Sequence, residues 1–160
     1  MLPVLSLVLT SVWFAWTVLV DFFVVPSVFQ NIPEVFMAGN LGVVLFSKLN
    51  HLEFPIASII FALACWHTRK TGTLKLLILT SFVSLGIAAI YLFSLTPKLA
   101  SLTAAWEYAE KVGTLGPAGE DVQQLHQNYH RTYVALDSVK LLLLLIQMTV
   151  LGVFLSRRSR

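Results

Sequence analysis

Seven side chains that can bind ions or exchange protons lie inside or beside long apolar stretches of this sequence. They are Asp21, His51, Glu53, His126, His130, Asp137 and Lys140. An ionisable group inside a membrane costs roughly 2.5–3.5 kcal/mol on insertion scales, so each one needs a partner or a role. We therefore take these seven residues as the candidate cluster for binding a ligand or an ion.

Several members of this cluster share one face of a helix. At 100° per residue, a sector of about 80° collects the polar residues before and within the last apolar stretch. This face consists of His126, His130, Tyr133, Asp137 and Lys140, and Gln147 extends it. A polar stripe on a membrane helix is expected to face other helices rather than lipid. We predict that Asp137 and Lys140 point inward and that Asp21, His51 or Glu53 approaches them.

Three interpretations fit the cluster. His126 and His130 lie about one helical turn apart and could bind a transition metal, which would need His51, Glu53 or Asp21 to complete the site. A haem held by a histidine between helices is the second, although the sequence has no Cys-x-x-Cys-His motif. The third is structural, because Asp137 and Lys140 are three residues apart and would neutralise each other.

The composition indicates a membrane protein. Of the 160 residues, 57% are hydrophobic and only 12% are charged, and the mean hydropathy is +0.79. A chain of this size cannot bury so much apolar surface in one water-soluble core. The single cysteine, Cys65, excludes an internal disulfide framework. The hydropathy also argues against a disordered chain and a nucleic-acid-binding protein, despite the isoelectric point near 9.2.

Four apolar stretches are long enough to cross a bilayer core of about 30 Å as helices. They cover approximately residues 2–25, 50–68, 73–95 and 133–156, within a single membrane domain of residues 1–160. We predict an all-α, integral-membrane four-helix bundle. Short helices are expected in the two longer connections, over Glu34 to Lys48 and over Lys98 to Val112, the second lying at the membrane surface. A turn is expected over Gly113 to Gly119, and the sequence shows no internal repeat.

Stripes of small residues predict which faces of two spans pack against other helices. Their spacing of three or four residues is typical of close helix contacts in membranes. The stripe of the second span is Ser58, Ala62 and Cys65, and that of the third span is Thr80, Ser84 and Ala88.

Basic residues predict the orientation. Arg69, Lys70 and Lys75 flank the connection between spans two and three, and three arginines follow span four. No acidic residue lies on that side in the sequence, so the positive-inside rule places both termini in the cytoplasm. We expect a multi-pass protein of the cell inner (cytoplasmic) membrane, with the candidate cluster near its outer face.

Several short motifs resemble a known family. They are Val25-Pro26-Ser27-Val28-Phe29 (a P-x-x-F signature), Ala38-Gly39 with Leu45-Phe46 (an A-G … F segment), and Leu125-His126 with His130-Arg131 (a His-Arg pair before the last span). Together they resemble a bacterial domain-of-unknown-function family related to eukaryotic transmembrane protein 205. The resemblance implies a small four-span protein with a remote fold likeness to copper-resistance D proteins and to a haem-linked protoporphyrinogen oxidase. By that analogy alone, a transition metal or a haem is implied as a cofactor.

These observations favour a non-enzymatic membrane protein that binds or passes a small polar solute or a metal at an outward-facing cluster. One alternative is an accessory subunit of a larger membrane complex, and another is a haem-linked membrane oxidoreductase. The expected partners are the lipid bilayer and either further copies of the chain in a homo-oligomer or other membrane proteins. No nucleic acid is expected.

Overall fold

A computed structural model of the chain describes residues 2–33, 35–71, 75–112 and 117–158. These residues form six α-helices and two π-helical segments, and they contain no β-strand. The α-helices are α1 (Leu2–Leu19), α2 (Val25–Asn31), α3 (Val35–Thr71), α4 (Lys75–Ile90), α5 (Thr96–Lys111) and α6 (Pro117–Arg158). The first π-helical segment, Val20–Val24, joins α1 to α2, and the second, Tyr91–Leu95, joins α4 to α5.

The elements combine into four long helical rods. The first rod is α1 with α2, the second is α3, the third is α4 with α5, and the fourth is α6. All four are long and apolar enough to cross a membrane, over Leu2–Asn31, Met37–Arg69, Lys75–Ala109 and Asp121–Arg157. The prediction of an all-α bundle with four long apolar helices is confirmed. Each rod extends beyond the predicted span, because the polar connections continue the helices.

The two connecting helices continue the spans instead of standing apart from them. The helix expected over Glu34 to Lys48 is the first part of α3, although Glu34 itself lies outside the described residues. The helix expected over Lys98 to Val112 is α5, which continues α4 through the second π-helical segment and packs along α3 and α6. Its place at the membrane surface stays a prediction. Of the turn expected over Gly113 to Gly119, residues 117–119 belong to α6 instead, and residues 113–116 lie outside the described part.

The rods form a bundle in which the backbone of each one packs against two neighbours. The first rod packs against α3 and α6, and the third rod also packs against α3 and α6. The buried positions of α6 are spaced alternately by four and three residues: Tyr133, Asp137, Lys140, Leu144, Gln147 and Leu151. The same alternation occurs in α1 and in α3. This spacing is typical of long helices that pack side by side in left-handed bundles.

The bundle has an apolar exterior and a partly polar interior. Large apolar side chains are exposed on the outside of the bundle, such as Phe22 on the first rod and Phe82 and Phe93 on the third rod. Conversely, hydroxyl, amide and charged side chains lie among the most buried residues. An apolar exterior suits lipid, and buried polar groups in such a protein need partners within the bundle.

The two halves of the chain repeat one architecture. In each half, a helix passes through a π-helical segment, continues past a proline (Pro26 or Pro97) and is followed by one long helix. Five buried residues before each proline lie at the same separations from it, namely Ser6, Thr10, Trp13, Thr17 and Val20 in the first rod, and Leu77, Ser81, Ser84, Ala88 and Tyr91 in the third rod. The sequence hides this repeat because few of the paired residues are identical.

For reference below, the end of the bundle where α1 and α4 begin is called the terminal end. The opposite end, where α2 and α5 finish, is called the loop end. Arg69, Lys75 and Arg157 lie at the terminal end. Lys70, Arg158 and Arg160, which also support the predicted orientation, belong to positions whose side chains are outside the described part of the structure.

Candidate functional site

An ion-paired network occupies the interior of the bundle. The Lys140 ammonium donates to both carboxylate oxygens of Glu53, at 2.9 and 3.1 Å, and lies 2.6 Å from Asp137 Oδ1. Thr17 Oγ1 donates to Glu53 Oε1 at 3.3 Å. Lys140 is only 1% exposed, so all of its charge is compensated by the protein itself. We call Thr17, Glu53, Tyr91, Asp137 and Lys140 the charged network.

Tyr91 closes the network from the third rod. Its hydroxyl lies 3.3 Å from Asp137 Oδ1 and 3.1 Å from the backbone oxygen of Tyr133, both of which accept hydrogen bonds. Its ring stacks on that of Tyr133 at a centroid distance of 4.2 Å, and Lys140 Nζ lies 5.1 Å from the centre of the Tyr91 ring. A cation near an aromatic face is stabilised by the ring quadrupole. All four rods therefore supply at least one side chain to the charged network.

A second set of hydrogen bonds extends the network toward the loop end. Tyr133 donates its hydroxyl to Asn50 Oδ1 at 3.2 Å, and Asn50 Nδ2 donates to Thr96 Oγ1 at 2.7 Å. Asn50 is one turn before Glu53 in α3, and all three of these side chains are buried. Because each polar group has a partner, the interior is held in one arrangement at this depth.

Local irregularities of the helices lie at the same depth as the network. Tyr91 belongs to the second π-helical segment, and Asp21 belongs to the first. A π-helical turn accommodates one residue more than an α-helical turn, so it changes which side chains face inward beyond it. Pro55 lies two residues after Glu53 within α3 and removes one backbone hydrogen bond there. Three of the four rods therefore depart from regular α-helix where the charged groups meet.

Two adjoining cavities open beside the network. The larger, about 270 Å³, is mainly apolar, and its walls include Phe29, Val43, Leu99, Trp106 and His126. The smaller, about 220 Å³, reaches the carboxyl groups of Asp21 and Asp137. Both cavities are lined by Val25, Phe46, His130 and Tyr133. The same four side chains therefore separate the larger cavity from the smaller one, which contains the carboxyl groups of Asp21 and Asp137.

The structure brings together only some of the seven candidate residues. Glu53, Asp137 and Lys140 form the ion-paired centre, so the expected approach of span two to span four is present. Asp21 lines the smaller cavity beside Asp137. His51, in contrast, is exposed, and its Nδ1 lies 2.6 Å from the backbone oxygen of Ser47. Residues two apart on a helix point about 200° apart, so His51 and Glu53 cannot both face the interior.

His126 and His130 lie on the cavity side of α6. His126 is half-buried, with its ring centroid 5.9 Å from that of Trp106, and His130 borders both cavities. In the described part of the chain, no group of three His, Cys, Asp or Glu residues is arranged to hold a metal ion. The described residues thus supply no third ligand for the predicted metal pair. His126 lines the larger cavity only, and His130 lines both cavities.

The comparisons with known proteins found nothing similar. The chain matches no family model, no curated protein and no solved structure. The resemblance to relatives of transmembrane protein 205 therefore stays a prediction. The candidate site is supported by its own geometry.

Proposed function

We propose that this protein binds a small amphipathic cation in the two adjoining cavities at the loop end of the bundle. The carrying observation is that the smaller cavity ends on the carboxyl groups of Asp21 and Asp137, whereas the larger cavity is apolar and aromatic. An ammonium group would lie at the carboxyl groups, and the apolar body of the solute would contact Trp106, Phe29 and Phe46.

The charge of the interior supports a cation rather than an anion. Around the two cavities and the network, the described residues include three carboxyl groups, of Asp21, Glu53 and Asp137, and one ammonium group, of Lys140. Lys140 is already engaged by Glu53 and Asp137. An additional positive charge beside Asp21 would reduce the excess of negative groups, and an anion would increase it.

Phenethylamine is a suitable probe because it joins one ammonium group to one aromatic ring. Binding to the protein in lipid nanodiscs can be followed by calorimetry and by tryptophan fluorescence, to which Trp106 in the cavity wall contributes. We expect Asp21→Asn to weaken binding at least tenfold, because it removes a carboxyl group that can pair with the ammonium group from the cavity wall. Asp121→Asn is the matched control, since Asp121 is an exposed residue of α6 away from both cavities.

Two further ligands separate this proposal from its alternatives. The neutral analogue 3-phenylpropanol should bind much more weakly than phenethylamine, and the anion 3-phenylpropionate should bind least. Equal binding of all three, or binding that Asp21→Asn leaves unchanged, would show that the carboxyl groups do not select the solute.

We further infer that the protein lies in the cytoplasmic membrane with its terminal end in the cytoplasm. Arg69, Lys75 and Arg157 support this orientation, because basic residues are retained on the cytoplasmic side. The cavities would then open toward the outer face. Reporter fusions after residue 160 and near residue 115 should report opposite compartments, and the same compartment for both would contradict the four-span topology.

A further inference from the structure

A second set of buried polar side chains lies between the charged network and the terminal end. It consists of Thr10, Ser81, Ser84 and Gln147, and we call it the inner polar layer. One apolar layer separates it from the network, formed by Trp13, Ala57, Ile60, Ala88 and Leu144. Another apolar layer, formed by Ala64, Leu77 and Leu151, separates it from the terminal end.

The depth of this layer is that of the centre of a bilayer. Gln147 lies ten residues before Arg157, the basic residue near the end of α6. At 1.5 Å per residue the separation is about 15 Å, which is half of a hydrocarbon core of about 30 Å. Polar groups at this depth have no access to bulk water and depend on partners within the bundle.

The inner polar layer is incompletely hydrogen-bonded by the described residues. Gln147 Nε2 donates to Ser84 Oγ at 3.1 Å, but Gln147 Oε1 has no partner. The hydroxyl of Ser81 has none either, and neither has the indole nitrogen of Trp13, one turn away from Thr10 in α1. Gln147, Ser81 and Trp13 are each at most 1% exposed. Such buried polar atoms in a folded protein need an explanation.

The chemistry of the three groups defines what they would bind. The Trp13 indole N–H can only donate, the Gln147 amide oxygen can only accept, and the Ser81 hydroxyl can do both. A shared ligand must therefore accept and donate, and it must be small because these side chains are almost completely enclosed. We propose that Ser81 and Gln147 of the inner polar layer, together with the indole N–H of Trp13 from the adjoining apolar layer, form an internal water-binding site in the middle of the membrane.

The repeat of the two halves supports a specific role for Gln147. The buried positions of α3 and α6 share one spacing, in which Glu53 corresponds to Lys140 and Ile60 corresponds to Gln147. An aliphatic side chain therefore fits the bundle at the equivalent place in the first half. Packing alone does not require an amide at position 147, whereas a water site does. This inference is independent of the solute proposed for the loop end.

The test is the contact between water and the Trp13 indole proton. Protein labelled with ¹⁵N at its four tryptophans is folded in nanodiscs, and Trp13→Phe identifies the Trp13 signal. We expect a nuclear Overhauser or exchange cross-peak between this indole proton and water. Gln147→Leu should weaken the cross-peak several-fold, because it removes an acceptor that holds the water.

Ser58→Ala is the matched control. The Ser58 hydroxyl donates to the backbone oxygen of Phe54 within α3 and is no part of the inner polar layer, so the cross-peak should not change. If Gln147→Leu does not fold, Ser81→Ala replaces it, since it removes the other acceptor. Absence of the cross-peak in the folded natural protein would overturn the proposal. So would a cross-peak that persists unchanged in whichever of these two variants folds.

Discussion

Lys140 pairs with two carboxylates that belong to two different helices. Asp137 belongs to its own helix, one turn away, and Glu53 comes from α3. A buried ion pair contributes little net stability relative to a well-packed apolar pair, but removal of one partner is costly because the other charge stays buried. Removal of one charged residue is therefore expected to lower the stability of the protein more than replacement of all the charged residues by apolar ones.

Lys140→Met tests this sensitivity. It leaves Glu53 and Asp137 without their cation, and we expect the free energy of unfolding to fall by about 3–5 kcal/mol. Thermal unfolding in detergent, with the folded yield after size-exclusion chromatography, measures the loss. Lys111→Met is the control, because Lys111 pairs with Glu107 on the surface and its side chain is 73% exposed. A similar loss in both variants would contradict the role of the buried cation.

Glu53→Gln should be milder than Lys140→Met. The amide keeps the size of the side chain and can still accept hydrogen bonds from Thr17 and Lys140, while Asp137 continues to pair with the ammonium.

The double variant Lys140→Met with Glu53→Met should recover only part of the stability, because Asp137 then stays buried with the Tyr91 hydroxyl as its main donor. Complete recovery would show that Asp137 is uncharged or solvated. The same unfolding assay distinguishes these outcomes.

The residues of the network were only partly predictable from the sequence. Asp137 and Lys140 could be assigned to an inward face because α6 is regular throughout, so counting 100° per residue stays accurate. Thr17 and Asn50 were missed, since neutral polar residues in a span give no signal of an energetic cost. Tyr91 was missed because its hydroxyl reaches Asp137 from another rod, which no spacing within one helix can show.

At the scale of elements, the π-helical segments are the feature that hydropathy could not predict. Both precede a proline, and each is closed by a backbone hydrogen bond that spans five residues, from Val25 to Val20 and from Thr96 to Tyr91. The proline then lacks an amide hydrogen of its own. The buried face of α1, like that of α4, therefore keeps one direction up to the π-helical segment. Beyond the segment, the side chains of α2 and α5 are rotated about the helix axis relative to that face.

Single-residue deletions would test this interpretation. Deletion of Phe93, an exposed residue of the second π-helical segment, should convert that turn to α-helix and leave the register of both flanking helices intact. Deletion of Leu142, an exposed residue of the regular helix α6, should rotate all later side chains by about 100°. We expect folded protein from the first variant and little from the second, measured by fluorescence-detected size-exclusion chromatography. Equal losses would argue against a one-residue surplus in the π-helical segment.

Helix faces were also predicted with mixed success. The stripe of Thr80, Ser84 and Ala88 faces the interior as expected. The stripe of Ser58, Ala62 and Cys65 was wrong, because the buried residues in this part of α3 are Ala57, Ile60 and Ala64, and Ala62 is exposed. Small residues occur on both faces of α3, so their spacing alone does not define the contact. The inward direction of Glu53 identifies the correct face.

At the scale of the whole molecule, the two repeated halves predict that the chain can be divided. A break within the connection at residues 72–74 leaves one two-rod fragment on each side. We expect fragments 1–72 and 73–160, co-expressed with different tags, to co-purify from the membrane. Lys140→Met in the second fragment should reduce their co-purification strongly, because Glu53 then loses its partner across the interface. Co-purification that this substitution does not change would contradict an interface centred on the ion pair.

The same repeat has a consequence for the origin of the protein. If the chain arose by duplication of a two-helix unit, two identical units would have placed like residues at the positions now held by Glu53 and Lys140. Two buried glutamates or two buried lysines would repel each other at the centre of such a dimer. Replacement of the charged residue in one unit by a residue of the opposite charge would make the two unlike units pair with each other rather than with themselves. The pair of Glu53 and Lys140 thus favours association of the first half with the second half over association of either half with itself. Differently tagged copies of fragment 1–72 alone should therefore fail to co-purify.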